Sequence, residues 1–484
     1  MGGPETVVAT DVTSIIDKGK PIGLHLNVEK CEQIANSPST IKPLSDFEFV
    51  NINNATLLGA PLTKGTAMDS LLSKRLNDLK RSAERLRLIS AHDAVILLKY
   101  SCGTPKILHM LRSSPCAQHP SLDEFDSVLR TCICNIANVN LNEMQWKQAS
   151  LPVKAGGLGI RSVSSLSSSA FLASVSSTVH LQDLLLDRHM ALVDHHFDNI
   201  LSDWISKYNV PPPQGDKSHK QKSWDQPAVD KVCSELHSSA LDDYHKACLN
   251  AASAPHSGDW LHVLPITSCG LRWDDEAIRV AVCLRIGADL CEPHLCPCGA
   301  QVDARGSHGL SCKFSSGRTA RHAALNDLIW RALQRAGIPS VKEPSGLLRT
   351  DGKRPDGLTL IPWQGGKTVI WDSTVIDTLA ESYLATSAMT PGGTAEIAAT
   401  RKDTKYSALA TTHMFVPVAV ESLGPICAKA TNFLCDLGSR LTAATGDPRE
   451  TAFLFQRLSV TIQRFNIVCV LGSFCHLEED TDGL

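Results

Sequence analysis

"RPDGLTLIPWQGGKTVIWD" occupies residues 354–372, with a Pro-Asp at its head and a lone Asp at its tail. Leu358, Leu360 and Pro362 alternate with small or polar positions, Gln364-Gly365-Gly366 supplies turn residues, and Thr368-Val369-Ile370-Trp371 is β-branched and aromatic. This pattern predicts a hairpin. Acids are poor strand residues, so two carboxylates bracketing a hairpin need a reason. If the loop centres on Gln364, Asp356 stands opposite Asp372, and directly opposed Cβ atoms are only about 4.5–5.5 Å apart. Two such carboxylates repel unless a cation sits between them. A two-residue turn at Gly365-Gly366 would instead set Thr359 against Asp372 and separate the acids.

The 484 residues, 43% of them hydrophobic, are enough for about three domains. No uncharged apolar run of about 18 residues exists, and "MGGPETVVATDV" lacks the basic start and apolar centre of a signal peptide. An intracellular protein, nuclear or cytoplasmic and without a membrane partner, is the expectation. Seventeen cysteines in such a chain favour reduced thiols and metal ligation over a disulfide framework. The net charge of -3 gives no global attraction to nucleic acid, so any such binding has to come from local patches.

Outside the hairpin the patterning is mostly helical. From Ala67 to about Leu111, leucines recur at helical spacing with Lys74, Arg75, Lys80, Arg81, Arg85 and Arg87 between them. Such a basic helix can follow a phosphate backbone, although a solvated helix face reads the same way. Residues 163–175 read as a closely packed helix of small residues, 209–223 as a linker or exposed loop, and 274–291 as an amphipathic helix with an acidic first turn. In that last segment "WDDE" (273–276) imitates a polymerase metal site, but acids opening a helix are favourable without any metal. Helix 317–338, the acid-bracketed hairpin, helix 394–413, strand 414–422 and two apolar helices then describe a small α/β domain.

Two sets of residues carry chemistry. Cys296, Cys298, His308 and Cys312, spaced C-x-C-x9-H-x3-C, suit tetrahedral Zn²⁺, with Cys291 and His294 as substitutes should one member fail. Four protein ligands leave no open coordination position, so this zinc would be structural. Asp356 and Asp372 can hold Mg²⁺ or Mn²⁺, Lys402 and Lys405 on the following helix can supply a cation, and Glu343 is a third acid. A phosphodiester resists attack through its negative charge, and hydrolysis needs a metal and a nearby cation.

The order Cys-x-Cys, His, Cys, then "GRTARH", "RPD", "WDST" and "RKDTKY" resembles the C-terminal end of non-LTR retrotransposon proteins that carry a restriction-like endonuclease of the PD-(D/E)xK superfamily. "GKPIGLHLNVEKCE" (19–32) and "NATLLGAPL" (54–62) are similar to the late segments of a reverse transcriptase palm, and "QASLPVKAGGLGIRS" (148–162) to the loop after its thumb. The resemblance implies a multidomain α and α/β protein: a palm remnant (1–62), a thumb-like helical region (63–162), a helical linker region (163–290), a zinc knuckle (291–315) and an α/β restriction-like nuclease domain (316–484). It also implies a truncated polymerase, since the aromatic-x-Asp-Asp turn does not precede the palm segments. Thr374 stands where the superfamily places its lysine; in this subfamily the lysine moves to the next helix, so Lys402 or Lys405 inherits the role.

The implied activity is metal-dependent nicking of target DNA, possible with element RNA as a second partner. Lys74, Arg75, Lys80 and Arg81 of the thumb, with Arg318, Arg321 and His322 of "GRTARH", are the expected nucleic-acid contacts. The alternative is a catalytically inactive, nucleic-acid-binding remnant.

Overall fold

The computed structural model describes residues 2–185, 194–240, 242–347, 352 and 354–474. The chain is mostly helical, with its largest sheet in the C-terminal region. Its residues form two compact units, each drawn from three stretches of sequence: 1–81, 104–127 and 163–228 in the first, and 82–103, 128–162 and 229–484 in the second. No helix among the described residues is long and apolar enough to cross a membrane.

In the first unit, the hairpin in "NATLLGAPL" pairs Thr56–Leu57 with Ala60–Pro61. Its turn residues Leu58 and Gly59 both have positive φ, as a two-residue turn matched to strand twist requires. The basic helix runs over Thr66–Leu86, with Leu72, Leu76, Leu79 and Leu86 buried. The helical expectation for 67–111 breaks after it. Ser90 caps a new helix at Ala91–Leu97, which is counted with the second unit, by accepting from the Asp93 amide, and Pro105 opens another in the first. The 209–223 stretch is no plain linker, because a helix starts at Gln221 and buried Trp224 donates its Nε1–H to the Ser218 carbonyl at 2.7 Å.

In the second unit, Asp275–Ile286 is not amphipathic. Past its acidic first turn every residue but Arg279 is buried. Buried Arg285 explains how a charge fits there: it donates to the carbonyls of Gly157 (3.0 Å), Val153 (2.8 Å) and Ala252 (3.0 Å), so its guanidinium organises the 148–162 loop. Asp274 caps the helix through the Ala277 amide and Asp275 accepts from the Ala91 amide, which gives both aspartates of "WDDE" structural work.

The C-terminal part of the unit is built from α1 (Ser316–Arg335), β1 (Ser340–Lys342), β2 (Gly357–Thr359), β3 (Val369–Ile376), α2 (Glu381–Met389), α3 (Gly393–Lys405), β4 (Met414–Glu421), α4 (Ala428–Thr445) and α5 (Glu450–Leu471). The sheet order is β4-β3-β2-β1, with β3 and β4 parallel and the other pairs antiparallel. Strand β1 and helix α2 extend the expected element list. The core is aliphatic and aromatic: Leu325, Ile329 and Leu333 of α1 meet Trp371 of β3, Val418 of β4 and Phe455 of α5.

The turn of one reading is combined with the register of the other, and Thr359 does not stand against Asp372. Gly365 (φ +57°) and Gly366 (φ +74°) form a two-residue turn closed by Gln364 and Lys367. Further down, Gly357 pairs with Trp371 and Leu358 with Ile370, a register centred on Gln364. The residues Leu360, Ile361 and Pro362 bulge out of the ladder and absorb the difference; the Leu360 amide turns away to the Pro339 carbonyl (2.8 Å). One step beyond the ladder, Asp356 therefore stands opposite Asp372.

Candidate functional site

Alternation along β3 sends Trp371 toward α1, where its Nε1–H donates to Asn326 Oδ1 at 2.8 Å, and Asp372 toward α3, where Lys402 Nζ donates to its Oδ2. Gly357 makes this packing possible, because the Trp371 indole fills the space a side chain would need there. Asp356 bends across the strand so that Oδ2 accepts the Ser373 amide at 2.6 Å and lies 3.2 Å from His322 Nε2.

Asp372 is 3% exposed. Burial pushes its carboxyl above the usual range, Lys402 pulls it back, Asp356 pushes it further up, and Lys405 opposes. Two like charges and two cations thus share one small volume. Lys402 is the amine in direct contact with Asp372, while Lys405 acts one atom further out: its Nζ donates to Tyr406 Oη at 2.8 Å, and that hydroxyl lies 3.3 Å from Asp372 Oδ1 and 3.2 Å from the Arg354 carbonyl.

Glu343 continues the same row. Its amide donates to the Asp356 carbonyl at 2.8 Å, which extends the β1–β2 register by one pair. Its carboxylate nevertheless turns to Arg354 and is 59% exposed, while its φ of +46° is an uncommon backbone state for a non-glycine residue. The backbone of Glu343 thus belongs to the site, while its carboxylate is held by Arg354.

Of the expected nucleic-acid contacts, Arg321 is a correction. At 2% exposed it is a core residue whose Nη1 donates to Asn466 Oδ1 at 2.6 Å, and it cannot present its charge to a phosphate. Its spacing of four residues before Leu325, in the buried stripe of α1, was the sequence signal for that. His322 is partly exposed but directs its Nε2 at Asp356, and Asp356 and the Ser373 carbonyl raise its affinity for a proton against the opposing effect of burial. Arg318 is exposed, with Nη1 donating to the Ser311 carbonyl at 3.2 Å. In the basic helix, Arg75 and Arg81 both pair with Asp78, Lys80 pairs with Glu124 at 2.6 Å, and Lys74 is exposed. Three of these four cations are thus engaged by carboxylates of the chain, with Asp78 shared between the two arginines. Tyr406 and Asn326 complete the site; Tyr406 ends the "RKDTKY" stretch without a role assigned to it, and Asn326 lies outside every motif, since both roles depend on which elements meet.

The cysteine–histidine cluster is compact. Ligand atoms of Cys296, Cys298, His308 and Cys312 all lie within 4.8 Å of one another and could hold a metal ion such as zinc. Cys296 Sγ and Cys312 Sγ are 3.7 Å apart, matching the separation of about 3.8 Å that tetrahedral Zn–S bonds of about 2.3 Å require. The Ala300 amide draws the Cys298 thiol down to about 6, toward the thiolate a metal needs. The substitutes have other partners: His294 stacks on Phe474 with its Nε2 3.2 Å from Ser473 Oγ, and Cys291 directs its Sγ to the Asp303 carbonyl at 3.5 Å. The purified chain should carry about one zinc by atomic absorption, and Cys298→Ser should release most of it. Undiminished zinc in that variant would mean that other ligands hold the ion.

No protein-family model and no curated protein matches the chain.

Proposed function

We propose that this chain is the metal-dependent DNA endonuclease portion of a non-LTR retrotransposon-type protein, which nicks its target by phosphodiester hydrolysis. The observation that carries the reading is the register: Asp356 opposite Asp372, with Lys402 on Asp372. A like-charged pair with a lysine on it is costly for a fold to keep, and the RPD–WDST–RKDTKY series in which it sits is the one that resembles restriction-like nucleases.

The donor set suits a hard cation, which prefers a few carboxylate oxygens. Asp356 and Asp372 would hold Mg²⁺ or Mn²⁺, which would polarise the phosphodiester and supply hydroxide at neutral pH. Lys402 keeps a positive charge beside the carboxylates, where charge builds on the phosphate in the transition state. Lys405 and Tyr406 hold Asp372 from its other oxygen, which limits the freedom of the pair before substrate arrives. The four-ligand cysteine–histidine cluster is read as a structural zinc knuckle packed on α5, where Gly309 and Gly317 let the backbone approach Cys469 closely. Arg318 and exposed Lys74 remain the candidate DNA contacts.

Incubating the purified chain with supercoiled plasmid and Mg²⁺ should yield open circles, and EDTA should prevent it. Supercoiled DNA that survives at high protein concentration with either Mg²⁺ or Mn²⁺ would overturn the assignment.

A further inference from the structure

His322 is placed unlike a residue that waits for DNA. It lies on the face of α1 that also carries Asn326, four residues on, and both reach the same aspartate. Asn326 Nδ2 is 3.5 Å from the Asp356 carbonyl, and its Oδ1 anchors Trp371. His322 Nε2 is 3.2 Å from Asp356 Oδ2 and 3.1 Å from the Ser373 carbonyl, so that nitrogen has two acceptors and must carry a proton to serve either. Asp356 Oδ2 in turn receives the Ser373 amide.

We infer that His322 is a positioning residue for Asp356: with the Ser373 amide it commits Oδ2 to the protein, leaving Oδ1 as the oxygen offered to a divalent cation. The inference rests on the nuclease reading and deepens it. A carboxylate free to rotate offers a cation two equivalent oxygens in many orientations, whereas one pinned by two donors offers a single oxygen in one direction. Partners of this kind behind a ligand typically change metal affinity about 10- to 100-fold. The pin is rigid on both sides, since the donors come from a helix and from the adjacent strand.

The test measures Mn²⁺ binding to the full chain by electron paramagnetic resonance, with Asp356→Ala to identify the signal of this site, and plasmid nicking as a function of Mg²⁺. His322→Ala should weaken Mn²⁺ binding about tenfold or more and raise the Mg²⁺ needed for half-maximal nicking in proportion, with the rate largely restored at saturating metal. His322→Gln, whose amide N–H can reach the same acceptors, should stay much closer to wild type. Mn²⁺ binding unchanged in His322→Ala, equal losses in the Ala and Gln variants, or wild-type binding indifferent to Asp356→Ala would each overturn the inference. A wild-type chain that binds Mn²⁺ in a His322-dependent way yet never nicks DNA would uphold the positioning role and sink the nuclease reading.

Discussion

Gly357→Ala should destabilise the C-terminal sheet by about 3 kcal/mol or more, at or beyond the upper end for overpacking a core. A Cβ at this position would sit 2.0 Å from Trp371 Cζ2 and 2.2 Å from Cη2, closer than any atom pair tolerates. The indole cannot move aside cheaply, because Trp371 is fully buried and tied through Nε1 to Asn326. Since Asp356 precedes Gly357, any shift of β2 also moves the carboxylate. Gly346→Ala is the control: it has open space around it and an ordinary φ, and it should fall within about 0.5 kcal/mol of wild type. Urea unfolding of both variants decides the matter, and a Gly357→Ala chain as stable as the control would show that β2 and β3 are not packed in this way.

Lys402→Met should cost about 3 kcal/mol at neutral pH in magnesium-free buffer, because removing one partner of a buried ion pair strands the other. Asp372 is nearly inaccessible, and Lys402 is the main influence holding its carboxyl down against burial. Without that amine the folded-state pKa rises further above the unfolded value. A carboxyl raised on folding is tolerated in its protonated form, so stability is retained below the unfolded pKa of about 4 and is lost as pH climbs through the folded value. The variant should therefore approach wild type in acid and fall away toward neutrality, while Lys402→Met with Asp372→Asn should recover most of the loss at pH 7. A deficit equal at all pH values would mean that Lys402 contributes packing rather than charge.

How far the sequence revealed this site follows from what each residue depends on. Asp356 and Asp372 were legible because strand pairing is a local rule and the turn glycines lie between them. Even so, two registers competed, and the bulge at Leu360–Pro362 that reconciles them has no pattern of its own. The cysteine–histidine spacing was legible because its ligands lie close together in sequence. Strand β1, at Ser340–Lys342, is too short to show alternation, and its β character comes from pairing with β2. Arg321 and His322 looked alike as basic residues of one helix; their fates differ because Arg321 falls in the buried stripe, whereas His322 lies on the face directed at Asp356. Which of Lys402 and Lys405 touches Asp372 depends on the rotation of α3 over β3, which the spacing of three residues leaves undetermined.

Cleavage and binding measured side by side on wild type and Asp356→Ala test the central claim most directly. The substitution removes one carboxylate of the pair and leaves Lys74, Arg318 and the cysteine–histidine cluster in place. Mg²⁺-dependent nicking of supercoiled plasmid should disappear in the variant. DNA affinity should persist and fall with salt in both chains, with a log–log slope of about -0.9 per neutralised phosphate. Nicking that survives Asp356→Ala, or two chains that bind DNA with this salt dependence and neither of which nicks it with Mg²⁺ or Mn²⁺, would contradict the account and leave a protein that holds nucleic acid without cutting it.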